Sequence, residues 1–392
     1  MKVLLINDFE YEGGAEKVFR DTRDLLQGQF DIYCFVGSEY HQVKKNPFEY
    51  IYSSSEKKRL QDTLKSVIPD IIHIHVFAHL LTPSVFNAIK SYKKRINQTV
   101  KVIYTAHDFH LICPNSGYLS FEGGRSTPLP LTPPSLLNML TLRLDNRSTL
   151  HSWLKKLQWA VGNKFVKIEE IIDLIITPSH FLKSVIKNKF FDKEIKVVRN
   201  PVDFKAIEES KQGMTNGMKI VYFGRLSEEK GIYEFLSKLP SLKLDFSLDI
   251  IGDGPEKEKI QSIIQKEGLK GRVQLLDKMD HAILMKELAI KYHAMVLPSL
   301  WYENAPLSLV EASKSGLAIL GSNWGGLKEI SDLCGNNFLF DPSSEADIHH
   351  QLQLCYNYIQ SGFMKNYALN EFGSTYYSEK ISVIYREISN PN

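Results

Sequence analysis

The sequence predicts an α/β protein built from two doubly wound domains, and three observations carry that expectation. Short β-branched apolar runs alternate with helix-like segments, the alternation starts afresh at Lys219, and a polar stretch rich in breakers separates the two series. The 392 residues also exceed one ordinary core, since domains usually hold roughly 100–200 residues.

The first series of expected strands is Val3–Ile6, Ile32–Val36, Ile71–Val76, Val100–Thr105 and Leu174–Thr177. Runs this short and apolar suit a parallel sheet covered by helices. After Val197–Val198, Arg199-Asn200-Pro201 opens a polar stretch that passes Lys211-Gln212-Gly213 and ends at Asn216-Gly217, which reads as an interdomain connection. The second series is Ile220–Phe223, Leu248–Ile251, Val273–Leu275, Ala294–Leu297 and Ala318–Leu320. Two such sheets facing each other would surround one crevice with their carboxyl ends, where open sheets bind ligands. The stretch from Pro114 to about Leu150 breaks the pattern, with Gly123, Gly124, Pro128, Pro130, Pro133 and Pro134 early and amphipathic character later. Insertions of this kind usually lie over a site or a partner.

Composition excludes several classes. Apolar residues make up 43% and charged ones 24%, so long disorder is not expected. The net charge of +3 is too weak for a nucleic-acid footprint. Cys34, Cys113, Cys334 and Cys355 lack metal-ligand or redox spacing, so buried thiols in a reducing compartment are expected and the sequons at Asn97 and Asn146 carry no weight. Met1 to Asp8 reads as a first strand, not a signal peptide, and no window approaches the ~20 apolar residues that cross a bilayer.

Chemistry-bearing motifs fall at strand ends. Phe223-Gly224-Arg225-Leu226-Ser227-Glu228-Glu229-Lys230-Gly231 follows the first strand of the second series. Arg225 and Lys230 can converge there on a diphosphate, whose growing charge on departure they would stabilise more in the transition state than in the ground state. Glu303-Asn304-Ala305-Pro306-Leu307 and Glu311 follow the strand Ala294–Leu297, with Pro306 expected in the first turn of a helix running to Lys314. That helix would aim N–H groups at an anion. Glu303 and Glu311, accepting from vicinal hydroxyls, would read the two ends of a nucleotide sugar.

In the first series, Glu12-Gly13-Gly14-Ala15-Glu16 opens an amphipathic helix. Its glycines permit close approach to a phosphate or sugar, or simply make a tight turn; no dinucleotide fingerprint or P-loop is present. His107 ends the strand Val100–Thr105, either to meet a sugar hydroxyl or to be satisfied in the core. His73, His75 and His79 lack a nearby Cys or carboxylate that would complete a zinc set, and no two Asp residues stand one apart to hold a metal against a diphosphate. No metal or other cofactor is expected, because cationic side chains can replace it.

These motifs in this order resemble the large retaining glycosyltransferase family 4, which has the GT-B fold. The resemblance also takes in Pro69-Asp70-Ile71-Ile72-His73, Pro178-Ser179, Asn200-Pro201-Val202-Asp203, Gly252-Asp253-Gly254-Pro255 and Gly325-Gly326. It implies two Rossmann-like domains across a cleft: residues 1–200 binding acceptor, residues 201–372 binding the nucleotide sugar, and a helix within 373–392, about Tyr377 to Ser389, crossing back to the first. Ile381, Ile384 and Ile388 on that helix fit a buried stripe. By the same resemblance Arg225 and Lys230 bind the donor diphosphate, Glu303 with the backbone of Asn304, Ala305, Pro306 and Leu307 holds the transferred sugar, and Glu311 holds the ribose. Gly13, Gly14 and His107 complete the sugar site, while backbone around Gly224, Gly254 and Met279 lies by the base and phosphates. Similar enzymes have the acceptor attack on the face the diphosphate leaves, with no side-chain nucleophile.

Leu317-Ala318 departs from the family pattern, which often has Pro after the glycine at Gly316, and Leu119 to Leu150 matches poorly. The segment His107 to Pro114 looks most like bacterial enzymes of surface-polysaccharide synthesis, which implies a cytoplasmic enzyme and a lipid-linked or growing glycan acceptor. Leu136 to Ile168 carries Arg143, Arg147, Lys155, Lys156, Lys164 and Lys167 against Asp145, interleaved with Leu and Trp. It reads either as a peripheral contact with the inner membrane face or as a solvated helix with an apolar core face. The rival from another class is a nucleotide-sugar-binding partner subunit without catalysis, against which the intact Arg225, Lys230, Glu303 and Glu311 argue.

Overall fold

The computed structural model describes residues 1–11, 13–38, 47–123, 125–132, 136–202, 217–362 and 369–389. Glu12, Gly124, Pro133, Pro134, Asp203 and the linker residues Lys211, Gln212, Gly213 and Asn216, all named above, lie outside the described residues. The chain divides into two compact units, Met1–Pro201 with Gly373–Asn392 and Val202–Phe372.

Unit 1 begins with β1 (Lys2–Asn7), α1 (Gly14–Leu26), β2 (Asp31–Val36), α2 (Pro47–Ile51), α3 (Ser54–Val67), β3 (Ile71–Ile74), α4 (Ser84–Arg95) and β4 (Lys101–Thr105). It continues with β5 (Leu119–Glu122), β6 (Arg125–Pro128), α5 (Leu136–Thr141), α6 (Thr149–Ala160), α7 (Ile168–Ile171), β7 (Leu174–Thr177), α8 (His180–Lys187) and β8 (Glu194–Val197). Six of these strands form one parallel sheet in the order β2-β1-β3-β4-β7-β8. β5 and β6 pair antiparallel within the Pro- and Gly-rich insertion.

Unit 2 holds β9 (Met218–Arg225), α9 (Ile232–Leu236), β10 (Phe246–Asp253), α10 (Lys257–Lys266), β11 (Val273–Leu276), α11 (His281–Lys291) and β12 (Ala294–Leu297). Then come α12 (Leu307–Lys314), β13 (Ala318–Ser322), α13 (Gly325–Cys334), β14 (Asn337–Phe340) and α14 (Glu345–Gln360). Its parallel sheet has the order β11-β10-β9-β12-β13-β14. The last helix, α15 (Ser374–Ser389), belongs to unit 1, where Tyr377, Ile381, Ile384 and Tyr385 join the core with Val3, Leu5, Phe19 and Ile103.

Some boundaries differ from the sequence reading for physical reasons. β8 and β14 carry a weak apolar signal because each is an edge strand with one neighbour, so Glu194, Lys196 and Asn337 are tolerated there. Cys34 is exposed where a buried thiol was expected, because β2 is also an edge strand; Cys113, Cys334 and Cys355 are buried. β3 stops at Ile74, yet His75 beyond it is as buried as His73.

Candidate functional site

In unit 2 the strand order reverses between β9 and β12, the place where an open α/β sheet leaves a crevice at its carboxyl edge. β9 ends at Arg225, and a single 3₁₀ turn, Glu228–Lys230, leads on to Gly231. Gly231 has a left-handed φ of 71°, and a Cβ there would stand 2.1 Å from the Pro298 carbonyl oxygen. Only glycine therefore lets the turn carrying Lys230 press against the loop after β12.

That loop carries Glu303, which is 6% exposed. Its Oε1 accepts from Lys230 Nζ at 2.6 Å, Ser299 Oγ at 2.8 Å and Trp301 Nε1 at 2.7 Å. All three donors converge on one carboxylate oxygen, and Oε2 accepts no hydrogen bond among the described residues. Burial alone would raise the Glu303 pKa, but the Lys230 charge and the three donors outweigh it and hold the carboxyl below its ordinary value. The Lys230 ammonium also sits 5.0 Å from the Trp301 ring centroid, a cation–π contact.

The start of α13 buttresses the same loop. Gly326 N–H donates to the Glu303 carbonyl at 2.7 Å, and a Cβ on Gly326 would lie 1.9 Å from the Asn304 carbonyl oxygen. Trp324 Nε1 donates to the Ser299 carbonyl at 3.1 Å. Asn304, Ala305, Pro306 and Leu307 then lead into α12 half-buried. Pro306, expected inside the first turn, is instead the residue capping α12, with ψ of 115°. Its fixed φ serves the cap as well as the first turn, so the proline alone does not distinguish them.

Glu311, one turn into α12 and 7% exposed, pairs with His281 Nε2 at 3.0 Å. No hydrogen bond or ion pair joins Glu311 or Arg225 to the Lys230–Glu303 pair among the described residues. Arg225 is exposed, its carbonyl taken by the Tyr222 hydroxyl at 2.6 Å. Gly224 and Gly254 have φ of 151° and 155°, and a Cβ on Gly254 would stand 2.3 Å from the Leu226 carbonyl oxygen. Met279 packs half-buried against the unit 2 core.

The other sequence candidates belong to unit 1. Gly13 caps α1 and Gly14 begins it. His107, following β4, lies with its Nε2 3.0 Å from His75 Nδ1, and the two rings stack at 5.2 Å. His73 is engaged by the Tyr385 hydroxyl at 2.6 Å and by Thr105 Oγ1 at 2.7 Å. Burial lowers the pKa of His107 to about 4 and that of His73 to about 3, so both imidazoles are neutral at pH 7. Asp8, at the end of β1, accepts the N–H groups of His79, Leu80 and Leu81 at 2.7–2.9 Å and so fixes the loop after β3.

Sequence reasoning missed Ser299, Trp301 and His281, and it weighed His75 only as a metal ligand, not as the partner of His107. Ser299 and Trp301 stand four and two residues before Glu303, so their local spacing was visible; His281 is thirty residues from Glu311, and only folding brings them together.

Residues 203–357 match the family model described as Glycosyl transferases group 1. Glycogen synthase of Mycobacterium tuberculosis is 31% identical over 140 residues, 35% of this chain, so the chain spans about a third (33%) of that relative's length. N-acetyl-alpha-D-glucosaminyl L-malate synthase of Bacillus anthracis is 22% identical over 301 residues, 74% of this chain and 67% of the relative. An Anabaena protein crystallised with UDP superposes with a TM-score of 0.63 at 17% identity, over 99% of this chain and 100% of its own. These likenesses show the GT-B fold for the chain, and they make unit 2 the part similar to the glycosyl transferases of group 1.

Proposed function

We propose that the protein is a retaining glycosyltransferase of family 4 that moves a sugar from a nucleotide diphosphate donor to a lipid-linked or growing glycan. The observation that carries this reading is the Glu303 carboxylate, with Oε1 saturated by Lys230, Ser299 and Trp301 and Oε2 left to accept from a sugar hydroxyl. An oxygen so occupied positions a donor and is a poor nucleophile. The leaving diphosphate draws on Lys230 and Arg225, whose fixed charges meet the negative charge that develops as the glycosidic bond breaks. The acceptor hydroxyl attacks the anomeric carbon on the departing face, and a leaving-phosphate oxygen takes its proton. Glu311 accepts from the ribose through the oxygen that His281 does not use. Two cations serve here without a divalent metal.

In unit 1, neutral His107 with Gly13 and Gly14 meets the donor sugar, and the unit supplies the acceptor site. No helix of the described residues is long and apolar enough to cross a membrane. α6 nevertheless exposes Leu150, Trp153 and Leu157 at helical spacing, by 67%, 49% and 49%. This stripe supports a peripheral contact with the cytoplasmic membrane face that holds such acceptors. Arg147 and Lys155 are already paired with Asp145, so the contact rests on the apolar stripe more than on charge.

A panel of UDP-, GDP-, ADP- and dTDP-sugars tests the reading by thermal shift and by release of nucleoside diphosphate. Stabilisation by one donor and retention of anomeric configuration in the product are expected. Stabilisation by none would overturn it, and binding without acceptor-dependent release would fit the partner-subunit reading.

A further inference from the structure

Away from these residues, unit 1 has a groove of about 680 Å³ between its edge strand β8, helix α8 with the turn that follows it, and α15. Aliphatic Ile195, Val198 and Ile384 are among its lining residues. Five lysines line it: Lys183, Lys187, Lys193, Lys196 and Lys380. Lys196 is neutralised by Glu387 at 2.6 Å and Glu194 at 3.5 Å. The other four make no ion pair among the described residues: Lys187 Nζ reaches only the Lys193 carbonyl, and Lys380 Nζ lies 5.2 Å from the Tyr376 ring centroid.

The backbone of β8 adds a second, independent feature. The strand is the edge of the sheet, bonded on one side to β7, and Val198 N–H continues that ladder to the Thr177 carbonyl. Backbone groups alternate in direction along a strand, so those of Ile195 and Val197 face away from β7. They have no hydrogen-bond partner among the described residues.

We infer that this groove is a docking site for an extended acidic segment of a partner protein, which adds to the sheet alongside β8. Such a segment uses these features together: its main chain pairs with Ile195 and Val197, and its side chains alternate between the α8 and α15 faces, so that the apolar ones cover the aliphatic lining of one face while the carboxylates meet the unpaired lysines of the other. A free phosphate or nucleotide would use the lysines alone. A second copy of this chain pairing edge to edge would bring lysine against lysine, which like-charge repulsion opposes. The site uses no residue of the proposed donor machinery.

The test uses the full chain and a fluorescent eight-residue peptide of alternating Val and Glu, followed by anisotropy. Three competitors accompany it: the same peptide N-methylated at alternate amides, inorganic diphosphate, and vesicles of anionic phospholipid. The Val/Glu peptide is expected to bind and to protect the amides of Ile195 and Val197 from hydrogen exchange. The N-methylated peptide should bind at least tenfold more weakly, as should the plain peptide to a Lys193→Glu/Lys380→Glu variant. Donor-induced thermal shift of that variant should equal the wild type, which separates failure of docking from failure of the transferase reading. Equal binding of the N-methylated peptide, equal competition by diphosphate or vesicles, or no binding at all would overturn the proposal. In the last case the lysines only guard the edge against aggregation.

Discussion

Replacing Lys230 by Met isolates the ion pair at the centre of the candidate site. The substitution keeps the bulk of the side chain and removes its charge, leaving the buried Glu303 carboxylate with only the Ser299 and Trp301 donors. Breaking a buried pair from one side typically costs about 3–5 kcal/mol. Two surviving hydrogen bonds to a charged acceptor put the expectation at the low end, about 3 kcal/mol. For a unit the size of Val202–Phe372 this is roughly a 6–12 °C fall in its melting temperature. The pH dependence gives the argument its sign. In the wild type the Glu303 pKa is held low, so its contribution is present above the unfolded value and is lost as pH falls. In the variant the burial effect prevails and raises the pKa, so protonation relieves the buried charge and the deficit narrows between pH 8 and pH 5. Calorimetry of both proteins at the two pH values measures this, and adding Glu303→Gln to the variant should recover at least half of the loss. A deficit below about 1 kcal/mol, or one unchanged by pH and by the second substitution, would refute the account.

The Glu311→Gln variant should weaken donor binding about tenfold, roughly 1.4 kcal/mol, while leaving kcat within a few-fold, as measured by steady-state kinetics. Gly326→Ala places a Cβ 1.9 Å from the Asn304 carbonyl, so a loss on the order of 3 kcal/mol and weaker donor stabilisation are expected in melting assays. A chelator should leave the transfer rate unchanged in an acceptor-dependent assay, because in the proposed mechanism Arg225 and Lys230 carry the charge that a metal would otherwise supply. Acid should destabilise unit 1. His107 has its folded pKa depressed to about 4, so the unfolded chain takes up the proton first and stability is lost as pH falls from about 6.5 towards 4, by about 2–3 kcal/mol. His107→Gln should flatten that part of the melting-temperature profile.

The central strands were legible in the sequence because both their faces are buried. Leu174–Thr177 and Ala294–Leu297 keep their read boundaries, and every residue in them is buried. Two of the four edge strands, β8 and β14, were not legible, since their polar residues erase the pattern, whereas the edge strands β2 and β11 keep enough apolar residues to be read. The same asymmetry holds at the site. Lys230 and Glu303 could be named from their motifs, but nothing local states that they meet across 73 residues. Their contact depends on Gly231 and Gly326, where the clash of an added Cβ is with backbone from other segments. Glycine as a residue type is readable in sequence, whereas the backbone that demands it is not.

Glu303 also shows why the residues proposed to hold the donor cannot be judged by stability alone. A carboxylate at 6% exposure is costly to hold charged, and a well-packed apolar residue of similar volume would be as stable or more so. The fold surrounds it instead with Lys230, Ser299 and Trp301, all on one oxygen, and buttresses its loop through Gly326. A structural carboxylate would be expected to satisfy both oxygens. Oε2 accepts no hydrogen bond from the described residues while Oε1 takes three donors, which leaves Oε2 open to a ligand hydroxyl. The Glu303→Gln variant discriminates between the two roles. It keeps an oxygen but loses the charge that holds Lys230, so it should retain the fold with donor binding weakened, whereas a purely structural role would leave donor-induced stabilisation unchanged.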